Sequence, residues 1–123
     1  MKNLIINGTA STLEIIFNID KKTLLLKGNS LPENPTEFYM MVDDYINEYL
    51  IQHQNNKLTI ICDITYMNSS SNKRIFQLLK KCVSMFTTVN IIWIYDDNDD
   101  DMKEQGQDFE HSLGINFDFQ AKQ

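Results

Sequence analysis

The sequence predicts an α/β fold: a single domain in which a mixed β-sheet begins with an N-terminal antiparallel hairpin, continues into parallel central strands and is packed by about three helices. Three observations carry this. Two aliphatic runs flank a polar loop between Leu13 and Gly28. Two strongly apolar runs, KLTIICDIT at 57–65 and NIIWIY at 90–95, are separated by a stretch of helical periodicity. The chain has 123 residues, one domain's length, and can bury a core without disulfides or metals.

Leu4 to Ile6 can supply a short first strand. Residues 13–28, LEIIFNIDKKTLLLKG, read as two β-rich runs on either side of Asn18 to Lys22, hence a hairpin with a loop of several residues. Gly28-Asn29-Ser30 then interrupts the strand pattern with turn formers. Pro32-Glu33-Asn34-Pro35 sets up the first helix. Asn34 can cap, Pro35 suits the first helical position because its φ is fixed and its missing N–H has no partner to lose, and Glu37 completes the capping-box spacing. This helix is expected to reach about Gln52, burying Phe38, Met41, Val42, Tyr45 and Tyr49 while Glu37, Asp44 and Glu48 face water.

Lys57 to Thr65 is apolar at its centre, as expected of a strand covered on both faces. A helix follows, capped by one of Ser69, Ser70, Ser71 or Asn72, with Ile75, Leu78, Leu79, Cys82 and Phe86 repeating at helical period. Asn90 to Tyr95 is the next strand, and strand, helix, strand implies a right-handed crossover between parallel strands. The polar segment beyond holds a short helix around Met102 to Leu113, and Ile115 to Phe119 can return as an edge strand. No repeat, linker or second domain is visible, so residues 1–123 read as one unit.

Composition bounds the function. Hydrophobic residues make up 42% of the chain, with only 4 Gly and 2 Pro, which argues against disorder. A net charge of -6, from 17 acidic and 11 basic residues, would repel a nucleic acid. Lys73, Arg74, Lys80 and Lys81 cluster, which reads as the solvated face of a helix. MKNLIINGTAST lacks the core of a signal peptide, and no run is long enough to span a bilayer, so the expected location is cytoplasmic. Cys62 and Cys82 lie in apolar patterns and read as small buried hydrophobes, not a disulfide pair.

Signatures of catalysis are missing: there is no GxSxG, Gly-rich phosphate loop, HExxH or CxxC. His53 and His111 have no ligand-like neighbours at metal spacing and read as surface or loop residues. Asp96, Asp97, Asp99, Asp100 and Asp101 invite a cation reading. An EF-hand loop begun at Asp97 would place Asp99 and Asp101 correctly, yet it puts Met102 where Gly is needed and Asp108 where the last Glu belongs. The run is better read as a solvated turn entering a helix whose N-terminal dipole favours negative charge. No metal or cofactor is therefore expected; a small metal-dependent enzyme using Asp96 and Asp97 is the alternative from a different class.

Tyr66-Met67-Asn68-Ser69-Ser70-Ser71-Asn72-Lys73 lies where a central strand hands over to a helix, at the carboxyl end of the sheet, where loops commonly carry function. One of its hydroxyls is needed for capping. A phosphate on a serine here would meet free N–H groups and the positive end of the helix dipole.

Three stretches, SLPENPTEFY (30–39), YMNSSSNK (66–73) and WIYDDNDDDMKEQGQDF (93–109), resemble in order and spacing the signature segments of the SiaC-type family of bacterial regulatory phosphoproteins. With the hairpin the resemblance spans nearly the whole chain. It implies a STAS-like domain similar to anti-sigma-factor antagonists, phosphorylated by a partner serine/threonine kinase and restored by a metal-dependent serine/threonine phosphatase. In that family the unphosphorylated form can bind and activate a diguanylate cyclase, linking the switch to cyclic di-GMP and biofilm formation. The family's acceptor is a Thr in Asn-Thr-Ser-Ser, which falls here on Asn68-Ser69-Ser70-Ser71, so the resemblance implies Ser69 as the acceptor. It also implies a partner-binding face formed by Pro32, Glu33, Asn34, Tyr66, Asn68, Ser70, Ser71 and Lys73. Leu31 stands where the family usually has an aromatic residue. A strict anti-sigma-factor antagonist would need the same acceptor serine and is the alternative within the class.

Overall fold

Six strands form one sheet in the order of the chain, and that order decides where everything else goes. The computed structural model describes residues 1–53 and 56–123. They form a single α/β domain: β1 (Leu4–Ile6), β2 (Glu14–Asn18), β3 (Thr23–Ser30), α1 (Pro35–Gln52), β4 (Lys57–Met67), α2 (Ser69–Met85), β5 (Thr88–Asp96), α3 (Asp100–Leu113) and β6 (Asp118–Lys122). The first three strands pair antiparallel, and β3 to β6 are parallel neighbours. Each parallel step crosses over through one helix. Right-handed crossovers that advance in one direction along a sheet deposit all their helices on the same face. Accordingly α2 packs between α1 and α3 in a single layer.

This corrects the expectation that the central strands are covered on both faces. Burial along β4 alternates, with Leu58, Ile60, Cys62 and Ile64 buried and Thr59, Ile61 and Asp63 only half-buried. The helix-facing rows are Phe17, Leu24, Ile60 and Ile91, and beside them Ile15, Leu26, Cys62 and Trp93, paired strand to strand and all buried. The opposite face carries Ile16, Leu25, Ile61 and Ile92 in one register row, half-buried and, among the described residues, without a helix above them. The length of an apolar run reported burial; it did not report how many layers provide it.

Gly28-Asn29-Ser30 does not break β3, again contrary to expectation. The strand continues, with a bulge between Gly28 and Asn29, to pair Asn29 with Tyr66 and Ser30 with Met67. Gly28 takes φ +110 there, a backbone conformation open to glycine at little cost.

In α1 the buried stripe is Tyr39, Val42, Ile46 and Tyr49; Phe38 and Tyr45 are half-buried and Met41 is 50% exposed. The expected stripe was thus rotated by about one position on one edge. Tyr39 and Ile46 were overlooked because Phe38 and Met41 are equally apolar, and only the sheet decides which neighbour faces in. The helix start is as expected: Asn34 Oδ1 accepts from the Glu37 N–H at 3.1 Å, and Asn34 Nδ2 donates back to Glu37 at 3.2 Å.

The expected edge strand at Ile115 to Phe119 forms at Asp118–Lys122 instead. After Gly114 caps α3, the chain drops to bury Phe117 against Trp93 and is held by the Glu110 carboxylate, which accepts from the Phe117 N–H at 2.8 Å. Pairing with β5 then begins at Asp118 opposite Ile92. No helix of the described residues is long and apolar enough to cross a membrane.

Candidate functional site

β3 and β4 end together. At that end the Asn68 N–H donates to the Ser30 carbonyl at 3.1 Å, fastening the start of α2 to the end of β3. The loop Leu31 to Asn34 and the first turn of α2 therefore leave the sheet side by side. Pro35 and Thr36 line a common notch with Ser70, Lys73, Arg74 and Gln77. Two segments far apart in sequence are thus brought to one edge, the carboxyl end of the parallel strands.

The cap of α2 is Asn68 and not one of the serines or Asn72, which corrects the sequence reading. Its Oδ1 accepts from the Ser71 N–H at 2.9 Å with backbone dihedrals of -78° and 176°. Ser69 and Ser70 are thereby released from capping, and both are exposed as the first residues of the helix. Ser71 differs: it is fully buried, and its Oγ has no hydrogen-bond partner among the described residues. Of the residues implied for recognition, Glu33, Asn34, Tyr66, Ser70 and Lys73 are exposed, Pro32 and Asn68 are half-buried, and Ser71 is withdrawn from the surface.

Beneath this edge lies a buried pair. Ser30 Oγ and Tyr39 Oη are 2.5 Å apart, both enclosed. Burial pushes the Tyr39 phenol up to about 12, against the smaller opposing effects of the Ser30 hydrogen bond and the Arg74 charge. Arg74 also reaches Asp43 on α1 at 3.5 Å, and Lys81 approaches the same carboxylate at 3.8 Å. These partly exposed ion pairs tie α1 to α2 weakly. Leu31, at the start of the loop, is 40% exposed and Tyr66, near the end of β4, 53%, and Met40 and Met41 are about half open on α1.

The acidic run begins at the end of β5. Asp99 caps α3, accepting from the Met102 N–H at 3.0 Å, and Asp100 and Asp101 occupy the first turn. Among the described residues no group of three or more His, Cys, Asp or Glu is placed to hold a metal ion. His53 ends α1 and stacks on Tyr49 at 4.3 Å, while His111 is exposed in the last turn of α3. Cys62 and Cys82 are free and buried.

Sequence reasoning missed Pro35, Thr36, Arg74 and Gln77 at the notch. Ser70 and Arg74 stand four residues apart, a spacing that was legible. Nothing in the sequence placed Thr36 beside them, because that contact depends on how two helices start.

Comparison with known proteins agrees with this architecture. Residues 6–122 match the family described as SiaC family regulatory phosphoproteins. An uncharacterized protein of Pseudomonas aeruginosa (strain UCBPP-PA14) is 30% identical over 124 residues, covering 98% of either chain. The structure of apo-SiaC from Pseudomonas aeruginosa superposes with a TM-score of 0.84 at 29% identity, covering 98% of this chain and 100% of that one. SiaC in complex with the diguanylate cyclase SiaD, of which it is the activator, gives 0.84 at 29% identity, over 97% of this chain and 99% of that one. With one family matching from β1 to β6, and relatives aligned over almost their full length, the chain belongs to the SiaC family of regulatory phosphoproteins.

Proposed function

We propose that this chain is a non-enzymatic signalling switch in the cytosol, phosphorylated on Ser69 by a partner serine/threonine kinase and restored by a metal-dependent phosphatase, and that its unphosphorylated form binds a diguanylate cyclase. The observation that carries the reading is the first turn of α2. Ser69 is exposed, relieved of capping by Asn68, and set beside the loop Pro32 to Asn34 on one edge of a SiaC-family fold. The similarity to SiaC in its complex with a cyclase supports the choice of output partner.

The chemistry follows from charge. A phosphoryl group adds about -1.5 to -2 charges at neutral pH. In the free protein the N-terminal dipole of α2 and Lys73, one helical turn on, can accommodate it. At an interface containing Leu31, Tyr66 and Glu33 it would be desolvated and repelled. A micromolar contact is worth about -8 kcal/mol, so losing several of those removes it.

Mass spectrometry after incubation with the kinase and ATP should map a phosphate to Ser69. Ser69→Ala should still capture the cyclase, and Ser69→Asp should capture it poorly. The acceptor assignment fails if no phosphate maps to Ser69. Capture of an anti-sigma-factor kinase as the sole stable partner would instead make the chain a strict anti-sigma-factor antagonist.

A further inference from the structure

Between the first turns of α1 and α2 lies a notch of about 370 Å³, lined by Pro35, Thr36, Ser70, Lys73, Arg74 and Gln77. On a chain of net charge -6, two cations and no carboxylate line it. The Arg74 guanidinium is under-used. Among the described residues, one of its terminal nitrogens donates to Gln77 Oε1 at 2.8 Å, the other makes only a long contact of 3.5 Å to Asp43, and Nε is buried with no acceptor. A buried donor without a partner is uncommon in folded proteins. A guanidinium is a rigid fork of five donors suited to a phosphate. Asp43 also has Lys81 at 3.8 Å and is not dependent on Arg74 alone for a cation.

Ser70 is the hydroxyl that can deliver an anion to this place. It is exposed, it lines the notch, and Lys73 and Arg74 follow it at three and four residues, the spacings at which helical side chains meet. Ser69 lies one position earlier, about 100° around the helix axis, and has Lys73 but not Arg74 at those spacings.

We propose that Ser70 is a second phosphorylation site and that the notch receives its phosphoryl group, with Arg74 and Lys73 as its cationic partners. This rests on the reading that the first turn of α2 is a kinase substrate. In the transfer, Ser70 Oγ bonds to the γ-phosphorus of a nucleoside triphosphate as the bond from that phosphorus to the β,γ-bridging oxygen breaks. The hydroxyl proton passes to a base of the kinase, and the nucleoside diphosphate leaves. The new dianion draws Arg74 from its long contact with Asp43, so the ion pairing between α1 and α2 is rearranged. A phosphate on Ser69 stays on the outer side of α2 for partners to meet, whereas one on Ser70 is taken into the seam.

Phosphoserine installed genetically at position 70 or at position 69 of the full chain separates the seat from the kinase. Phosphorus NMR titration should place the second ionisation at position 70 about one unit below the ordinary value near 6, with a smaller shift at position 69. Arg74→Gln should remove most of the shift and Arg74→Lys should keep part of it. Circular dichroism and melting of the unmodified variants check that the fold persists. An ordinary ionisation at position 70, or one indifferent to Arg74→Gln, overturns the notch as a phosphoryl seat. Millimolar inorganic phosphate is the control for a general anion site: protection of the Arg74 Nε–H by phosphate alone, equal to that from phosphoserine 70, overturns the assignment to Ser70. Kinase and ATP then test the modification. A phosphate mapped to Ser70 in Ser69→Ala supports it. An unmodified Ser69→Ala beside a modified wild type overturns Ser70 while sparing the switch, and an unmodified wild type overturns both.

Discussion

The indole of Trp93 occupies the space that a side chain at Gly106 would need. Trp93 is fully buried on β5 and donates from Nε1 to the Met102 carbonyl of α3 at 3.0 Å. A Cβ placed on Gly106 would come within 2.5 Å of that nitrogen and 2.6 Å of Cδ1. Glycine inside a helix is normally a weakness of about 1 kcal/mol relative to alanine, and here it is what lets α3 settle on the sheet.

Gly106→Ala should therefore destabilise the protein although it raises helix propensity. The ring is enclosed by Phe109 and Phe117 and cannot swing aside. Overpacking of this kind costs about 1–3 kcal/mol, more than the propensity gain. Thermal melting should fall by several degrees, with a change in Trp93 fluorescence; a stabilised variant would show that α3 can shift freely.

Asn68→Ala should lower stability by about 1 kcal/mol, the usual cost of losing an N-cap. Asn68→Asp should be close to neutral, since it keeps the acceptor for the Ser71 N–H and adds charge at the favoured end of the helix. Urea denaturation with an unchanged slope distinguishes a lost cap from an altered native state.

Much of this architecture was legible because local signals and tertiary demands coincide. Asn34-Pro35 with Glu37 specifies a helix start whatever lies beneath it, and the runs around Ile60 and Ile91 specify strands. The rest depends on distant partners. Met41 and Tyr39 are both plausible core residues until the sheet beneath α1 takes Tyr39, whose phenol then meets the Ser30 hydroxyl. Gly28-Asn29-Ser30 has the composition of a turn, and only the neighbouring β4 holds it as a bulged strand. At the candidate site, the two segments and the four-residue spacing of Ser70 and Arg74 were readable from the sequence, while Thr36 at the notch, the release of Ser69 from capping and the burial of Ser71 emerge only from the folded structure.

Glu33→Lys should weaken capture of the output partner without altering the melting temperature. Glu33 is exposed on the loop beside the first turn of α2 and makes no ion pair among the described residues, so reversing its charge acts on recognition and not on the fold. Unchanged affinity with unchanged melting would remove Glu33 from the interface.

Both thiols should resist alkylation in the native protein. Burial pushes Cys82 up from the usual 9.0 to about 12 and raises Cys62 further, with a smaller contribution from the proximity of Cys82. The reactive thiolate is therefore suppressed. These folded values lie above the unfolded one, so their contribution to stability is full below pH 9 and is lost as pH rises toward 12. Melting temperature should decline above pH 9, and Cys82→Ala should flatten that slope even if its starting stability is lower. Thiol labelling at pH 8 that is as fast in the native protein as in denaturant would contradict this.

The bond between Ser30 and Tyr39 should couple stability to the candidate site. The phenol lies on α1, the hydroxyl on the last residue of β3, and the carbonyl of that same Ser30 holds the Asn68 N–H. Tyr39→Phe strands the Ser30 hydroxyl in an apolar setting, and Ser30→Ala strands the phenol; each should cost about 1–3 kcal/mol, because an orphaned buried group loses its hydration without replacement. Removing both leaves no orphan. The double variant should therefore be less destabilised than the sum of the singles, with a coupling of about 0.5–3 kcal/mol. Loss of the phenol also removes an ionisation raised to about 12, whose stability contribution is full below pH 10 and disappears as pH climbs toward 12. Tyr39→Phe should accordingly reduce the part of the alkaline decline that begins near pH 10 and leave the part that begins near pH 9. Strict additivity in the cycle would mean that the two hydroxyls are each satisfied elsewhere, and that the edge is held by the Asn68 cap alone.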